Sequence, residues 1–543
     1  MSDPYDTGIW DEVFLSKDKS GVPVVPSLHS KEYLVGGEIK EFKGEIAEIY
    51  SPIRSKKTEG GRKTLIGSVP MLGENEAREA LDAARAAWAH GRGPWPQASP
   101  TDRIAAVEKF MKGIAAKKTE LVNLLMWEIC KPQPDSEKEI DRTIKYVEDT
   151  IKDYKKMINA ESSLACDGGF VARIRRAPLG VVMCSSPTNY PFNELYTTLI
   201  PAILMGNTVI LKVPRIGGLC HFPTLPLFKE CFPPGVVNVL SGAGRTVMQA
   251  LMASGLIDAF AFIGSTNGAQ ELLKVHPRPN RLRVCLGLEA KNVAIVCSDA
   301  HLETAVSECI LGSLSFNGMR CTAIKLIWVH ESLHEKFLKM FCEKVDALKI
   351  ALPWEKDAKI TPLCEREKCK FLDGLVQDAL SKGAKIVNPR GGKADRTIFS
   401  PAVLFPVKPD MRIFHEEQFG PIVPITTFKE VEDVLHHLEQ SDFGQQAAIF
   451  TQNPDVLAPA IDALTNLVAR VNINAQCQRG PDTFPFTARK DSATATLSVY
   501  DALRTFSMRS MIAVKETPEN HKLIREVMKS DKSGFMSMDY YPS

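Results

Sequence analysis

Cys321 stands directly after Arg320 in the stretch FNGMRCTAIKLIWV, at the front of a run rich in β-branched and aromatic residues. A thiol there has what a nucleophile needs: a neighbouring positive charge that favours the thiolate and, at Asn317 and Gly318, an irregular and accessible approach. A lone cysteine is more often a small buried hydrophobe, and this chain has 13 of them, so the company it keeps must decide. Asn189, in SSPTNYPFN, lies in a turn that opens a helix, where a side-chain amide can donate to a developing oxyanion. Ordinary turn chemistry accounts for such an asparagine equally well. Lys212 closes the apolar run TVILKV and Arg215 follows three residues later. Two cations at a sheet edge suit a phosphorylated ligand, although a lysine ending an apolar strand also snorkels. AFIGSTNG sets Gly264, Ser265 and Thr266 between a strand and a helix, where backbone N–H groups meet a phosphate. SGAGRT offers further glycines without a full G-x-G-x-x-G fingerprint.

The elements that must position these residues are legible as alternating patterns. GENEAREALDAARAAWAHG has apolar residues at helical spacing, and SPTDRIAAVEKFMKGIAAKKTELVNLLMWEI predicts one long helix capped at Ser99, with Pro100 in its first turn and Asp102 completing the cap. A third helix, DSEKEIDRTIKYVEDTIKDYKKMI, follows the breaker KPQP. From about Gly169 the pattern changes to strands at FVARIRRAPLGVVMCSS, TVILKV, VVNVLSG and IDAFAFIG, with helices at YPFNELYTTLIPAILMG and TVMQALMASG. Strand and helix in turn predict an α/β chain with a parallel sheet covered on both faces, and ligands bound at the carboxyl ends of its strands.

A chain of 543 residues exceeds one hydrophobic core, so two or more domains are expected. With 44% hydrophobic and 24% charged residues, and a formal net charge of +2, it has neither a nucleic-acid nor a membrane electrostatic footprint. Scattered cysteines without a C-x-x-C pair argue against a disulfide framework or a zinc site and for a reducing compartment. The opening MSDPYDTGIWDEVF lacks the pattern of a signal or import peptide, and LYTTLIPAILMGNTVIL is interrupted by Pro201, Gly206 and Asn207, against a membrane span. A cytoplasmic protein without a metal is expected.

Taken in order, these stretches resemble the aldehyde dehydrogenase superfamily, and most of all its NADP-dependent, non-phosphorylating glyceraldehyde-3-phosphate dehydrogenases. The resemblance runs from about residue 70 to 515 through PTNYP, GNTVILKVP, FIGST, FNGMRCTAIK, KPDMRIFHEEQFGPIVP and NINAQCQRGPDTFPF. It implies that Cys321 attacks an aldehyde carbon while the Asn189 amide and the Cys321 N–H stabilise the oxyanion. Lys212 and Glu417 would hold the cofactor's ribose hydroxyls, Phe419 would flank the nicotinamide, and Gly264 and Ser265 would sit beside the pyrophosphate. Relatives that prefer NAD often carry a glutamate where this chain has Arg215, whose guanidinium would welcome a 2′-phosphate, so NADP is favoured over NAD. Arg142, Arg320 and Arg479, with Tyr190, match positions that bind a substrate phosphate; three distant arginines have little reason to converge on a neutral aldehyde.

The family's general base is the glutamate of L-E-L-G-G-K, and this chain reads LGLEAK, with Gly287 at the glutamate position and Glu289 two residues later. Glu289 is the leading candidate for a displaced base, although two extended residues span roughly 6 to 7 Å. The alternatives are another water-activating group, transfer of the acyl group to a thiol, or a non-catalytic cofactor-binding relative. ARKDSATATLSVYDALRTF also lacks the glycines usual in that loop, which leaves the shape of the substrate channel open. The fold so implied has an N-terminal extension (1–44), a Rossmann-like cofactor domain (45–290) with an oligomerisation hairpin (165–178) and a catalytic domain (291–490). A return segment with an oligomerisation strand (491–515) and a surface-bound or mobile tail (516–543) complete it, and a homodimer or homotetramer is expected. The leading function is oxidation of glyceraldehyde 3-phosphate to 3-phosphoglycerate with NADP; the alternative is a semialdehyde or other aldehyde.

Overall fold

The computed structural model describes residues 21–54, 63–530, 532–537 and 541; the opening MSDPYDTGIWDEVF and most of the closing DYYPS lie outside the described residues. Two seven-stranded sheets carry the molecule. In the first, the strands Val181–Ser185, Thr208–Lys212, Val237–Leu240, Ala259–Ile263 and Arg283–Gly287 are parallel, and Val181–Ser185 lies between Thr208–Lys212 and Ala259–Ile263. The chain therefore builds outward to one side through Thr208 and Val237, then returns to build the other side through Ala259 and Arg283. The strand order reverses at Val181–Ser185, and the crevice outside the carboxyl ends at such a reversal is where α/β sheets hold ligands. In the second sheet, six strands from Ala402–Phe405 to Arg470–Ile473 are parallel, with Asn292–Val296 and Ile324–His330 at its centre. Central strands of both sheets are buried on both faces, which is why they read as continuous apolar runs rather than alternating ones.

The helices follow the periodicity with two instructive differences. Ser99 accepts the Asp102 N–H at 3.1 Å, as its cap predicts, but the long helix expected after it is two, Pro100–Ala116 and Lys118–Ile129. They part at Lys117, whose N–H turns back on Ile114, so that Val107, Phe110 and Ile114 and then Leu121, Leu124 and Leu125 can all reach buried positions. The second difference lies in the polar segment read as an extension. Glu32–Val35 and Glu38–Glu41 form an antiparallel hairpin on the edge of the first sheet, closed by Gly36 and Gly37 at φ 64° and 79°. Two glycines with positive φ between short strands are the usual chemistry of a two-residue hairpin turn, and that signal stood in EYLVGGEIKEF. A separate antiparallel ladder pairs Phe170–Pro178 with Ser507–Lys515 over nine residues, from Ser507 opposite Pro178 to Lys515 opposite Phe170. Among the described residues, no helix is long and apolar enough to cross a membrane.

Asn207 locks the first sheet to the returning chain. It is fully buried; its carbonyl oxygen accepts the N–H groups of Leu179 (2.7 Å) and Gly180 (3.0 Å), and its amide donates to Ala202 (2.8 Å) and Phe506 (2.9 Å). Truncation would take the side-chain partner from the Leu179 and Gly180 N–H groups and from the Phe506 carbonyl, while the Ala202 carbonyl keeps the Asn207 backbone N–H at 3.1 Å. Asn207→Ala is expected to lower the free energy of unfolding by about 2–4 kcal/mol, read as a fall in urea midpoint at constant slope.

Candidate active site

Cys321, Asn189, Glu289, the cofactor candidates Lys212, Arg215, Gly264, Ser265, Glu417 and Phe419, and Arg142, Tyr190, Arg320 and Arg479 all line one cleft of about 800 Å³ at the carboxyl ends of the first sheet's strands, facing the second sheet, whereas Thr266, Asn317 and Gly318 do not line it. Cys321 lies in a turn between the helix Leu302–Leu314 and the strand Ile324–His330. The turn is forced: Phe316, Asn317 and Gly318 all have positive φ (48°, 56° and 69°). Asn317 holds this conformation by accepting the Thr361 N–H at 2.9 Å and donating to the Thr361 carbonyl at 3.0 Å. At Gly318 a Cβ would sit 2.6 Å from the Ser313 carbonyl oxygen and 2.8 Å from that of Gly420, so glycine is required there. The Cys321 carbonyl is pinned by the Asn292 amide (2.8 Å) and the Lys325 ammonium (2.7 Å). Burial pushes the Cys321 thiol above its ordinary value, the Glu194 carboxylate pushes it further, and Lys325 and Arg479 pull it back. The expectation that Arg320 supplies the activating charge is corrected here. Its guanidinium donates to the Leu311 (3.1 Å) and Gly312 (2.8 Å) carbonyls, closing the C-terminal turn of the preceding helix.

The Asn189 loop hangs from a fully buried ion pair, Lys131 with Glu139. Glu139 accepts the N–H groups of Phe192 (3.0 Å) and Asn193 (3.1 Å) at the N-terminus of the helix Asn193–Leu204, a favoured place for an anion. Lys131 donates to the Asn189 carbonyl at 2.8 Å and lies 3.4 Å from the centre of the Tyr190 ring. So held, Asn189 donates its amide to the Met319 carbonyl at 2.8 Å, next to the nucleophile turn.

On the cofactor side, Lys212 ends its strand only 4% exposed and, among the described residues, its ammonium makes no hydrogen bond or ion pair. Burial, with Arg215 nearby, pulls its ammonium down to about 8. Gly264 and Ser265 precede the helix Thr266–Lys274, where the Ser265 hydroxyl accepts the Gly268 N–H at 3.2 Å. Arg215 is largely exposed and paired with Glu365. Glu417 is tied to Lys325 at 2.9 Å and accepts the Ala290 N–H at 3.1 Å, and Phe419 has a positive φ of 43°. Glu289 accepts the Thr266 N–H at 3.1 Å and so is turned toward the glycine–serine turn. Gly287 lies at the end of its strand, its carbonyl accepting the Gly264 N–H at 3.0 Å. A buried unpartnered ammonium beside a helix N-terminus, with a guanidinium at the rim, fits a phosphorylated dinucleotide.

The other end of the cleft revises the reading of the arginines. Arg479 is buried and ion-paired with Glu194 and, at 3.4 Å, with Asp482; Arg142 grips Asp482 with two hydrogen bonds of 2.8 and 2.6 Å. Burial works against both charges, yet Glu194 and Asp482 hold Arg479 above its ordinary value, while Arg142 and Arg479 hold the Asp482 carboxyl below the usual range. Two of the three arginines thus converge on carboxylates of the protein itself. Glu194 and Asp482 were in plain view in YPFNEL and RGPDTF, but nothing local marks a surface-like acid as the counter-ion of an arginine hundreds of residues away. The same holds for Lys325 and Lys291, which look like strand lysines. Lys291 is buried and donates to the carbonyls of Ile413 and Glu416 (both 2.6 Å) and to Gln418 (2.8 Å), bracing the segment that carries Glu417.

The model of the "Aldehyde dehydrogenase family" matches residues 54–512. The chain belongs to that family. Among curated relatives, the "NADP-dependent glyceraldehyde-3-phosphate dehydrogenase" of Streptococcus equinus is 30% identical over 496 residues, covering 90% of this chain and 98% of that one. The enzyme of the same name from Arabidopsis thaliana is 31% identical over 454 residues, covering 82% and 87%. The crystal structure of the Bacillus halodurans NADP-dependent glyceraldehyde-3-phosphate dehydrogenase complexed with NADP superposes with a TM-score of 0.82 at 29% identity, over 90% of this chain and all (100%) of that chain. Within this family frame, the charges of the cleft give two expectations.

Replacing Glu194 by Gln removes an anion that acts on the thiol and releases the Arg479 charge toward it. Alkylation of Cys321 by iodoacetamide at pH 7.5 should then accelerate about three- to tenfold as the thiol moves back toward its ordinary value; an unchanged rate would show that Glu194 does not act on the thiol. Lys212 is held near 8 in the fold against an ordinary 10.5, so the unfolded chain binds its proton more tightly. The penalty is complete below pH 8 and vanishes as pH rises through about 10.5. Lys212→Met should therefore stabilise the protein by on the order of 3 kcal/mol at pH 7, with a gain that shrinks between those two limits.

Proposed function

We propose that this protein oxidises an aldehyde to a carboxylic acid with NADP through a thioester on Cys321, and that its substrate is glyceraldehyde 3-phosphate. The observation that carries the reading is the meeting, in one cleft, of the Cys321 thiol, the Asn189 loop and the Lys212, Gly264 and Ser265 cluster. The thiol adds to the carbonyl carbon while the Asn189 amide, which has a second N–H to give, and the Cys321 N–H donate to the oxygen. Lys212, Gly264, Ser265, Glu417 and Arg215 would hold NADP, with Phe419 to flank its nicotinamide, and the bound cofactor would supply the hydride acceptor. The thiohemiacetal loses hydride and a proton to become a thioester. Water then attacks the acyl carbon, the C–S bond breaks, the water's proton goes to Glu289, and the acid leaves. The relatives at about 30% identity support the phosphorylated substrate, with Arg142, Tyr190, Arg320 and Arg479 as its surroundings. The exposed apolar side chains of Met508, Met511 and Ile512 on the Ser507–Lys515 strand support assembly into a dimer or tetramer through that edge. All 13 cysteines are free thiols, which supports a reducing, cytoplasmic setting.

The compensated arginines favour a second reading of the substrate. With Glu194 and Asp482 already opposite Arg479 and Arg142, a singly charged carboxylate requires less rearrangement than a phosphate dianion, so a semialdehyde is the competitor. NADPH formation without inorganic phosphate, compared between glyceraldehyde 3-phosphate and a carboxylated aldehyde, separates the two. Turnover should be abolished in Cys321→Ala and fall at least about tenfold in Glu289→Gln. A Cβ at Gly287 would meet only Ile263, at 3.5 Å, so Gly287→Glu in the Glu289→Gln background should fit and restore turnover. A single burst that stops at one NADPH per site in the wild type would show an intact nucleophile with failed hydrolysis, and no NADPH from either aldehyde would overturn the reading.

A further inference from the structure

Glu289 lies in an awkward place for a base. It belongs to the irregular link, Leu288 to Lys291, between the last strand of the first sheet and the first strand of the second. Its carboxylate is taken up by the Thr266 N–H at 3.1 Å, the first amide of the helix Thr266–Lys274. The neutral Ser265 hydroxyl already serves the Gly268 N–H, and the Glu289 carboxylate adds an anionic acceptor at this helix end, where the N–H groups and the helix dipole favour negative charge. The same cleft holds Lys212, a buried ammonium with no anion of its own among the described residues. A cation without a counter-ion and an anion-binding turn filled by a carboxylate lie within one cavity.

We propose that Glu289 is a resident anion of the phosphate-binding turn, which the pyrophosphate of NADP expels from the Thr266 N–H, and that this release turns the carboxylate toward Cys321. The proposal rests on the cofactor assignment made above. A carboxylate and a pyrophosphate cannot share one amide in a low-dielectric cleft, because their repulsion is of the order of the hydrogen bond they compete for. The displaced carboxylate has somewhere to go by rotation of its own side chain: the backbone on either side is held, Leu288 N–H on the Ser492 carbonyl at 2.8 Å and Ala290 N–H on Glu417 at 3.1 Å, while the half-buried Lys368 on the same cleft is a cation on which both Glu289 and Glu417 act. The roughly 6 to 7 Å between Glu289 and the position occupied by Gly287 then becomes a distance the side chain covers when cofactor arrives, not a defect of the site. Binding of the oxidant and positioning of the base are one event, so water is not activated before a hydride acceptor is present.

The test is calorimetric titration of NADP into wild type, Glu289→Gln and Glu289→Ala, with adenosine 2′-monophosphate, which lacks the pyrophosphate, as the control ligand. Both variants should bind NADP about three- to tenfold more tightly than wild type at low salt, while adenosine 2′-monophosphate binds all three alike. Their turnover should fall over the same series, so affinity and rate move in opposite directions, which a merely structural role for Glu289 would not produce. Unchanged or weaker NADP binding in the variants, or an equal gain for adenosine 2′-monophosphate, overturns the competition; tighter binding with wild-type turnover overturns the delivery of the base. No NADP binding to the wild type would instead remove the cofactor assignment on which the proposal stands.

Discussion

The buried pair of Lys131 and Glu139 is the interaction on which the rest of the site depends. Both side chains are fully withdrawn from water, a placement that is tolerable only because each charge is also satisfied by the backbone it organises. Glu139 holds the first N–H groups of the helix Asn193–Leu204, and Lys131 holds the Asn189 carbonyl and lies against the Tyr190 ring. Removing either partner would leave a bare charge in the core, at a cost of about 3–5 kcal/mol, and would release Asn189, Tyr190 and Glu194 together. The pair itself is set by the backbone just before it, where Cys130 at φ 52° ends the helix Lys118–Ile129 and turns the chain so that Lys131 points inward. A left-handed residue, a buried lysine and a glutamate two turns into the next helix thus place the oxyanion side of the cleft.

The opposite wall is built from strain rather than charge. Three consecutive residues with positive φ bring the chain out of the helix Leu302–Leu314 and into the strand Ile324–His330, and the Thr361 backbone and hydroxyl hold Asn317 in that form. The nucleophile turn cannot relax without breaking those bonds, which is how a loop cysteine acquires the positional precision of a strand residue. Between the two walls the cleft is electrically mixed. Lys325 and Arg479 favour the thiolate while Glu194 and Glu417 oppose it, so the reactivity of Cys321 is a balance of neighbours rather than the work of one adjacent arginine.

The alternation of strands and helices, the caps and the candidate residues were legible because each is a local property: spacing, capping chemistry and apolar runs are written in contiguous sequence. The hairpin at Glu32–Glu41 was equally local, marked by Gly36 and Gly37, and was missed because its strands are short and half polar. The break at Lys117 was not local in that sense. Nothing in KKTEL requires two helices, and the division follows from the need to bury apolar faces on either side of it against different parts of the core.

By itself, the amino-acid sequence determined that this is an α/β chain whose chemistry-bearing residues fall at strand ends and turns, with a thiol, an amide, a strand-ending lysine and a glycine–serine turn in the family's order. These depend on neighbours a few residues away, and a chain carries such information in one dimension. Tertiary structure alone decided which charges meet. Arg479 with Glu194, Arg142 with Asp482, Glu417 with Lys325 and Glu289 with the Thr266 N–H join residues 23 to 340 positions apart. Electrostatic partnership falls off with distance through space, not along the chain, so only the folded cleft could assign it.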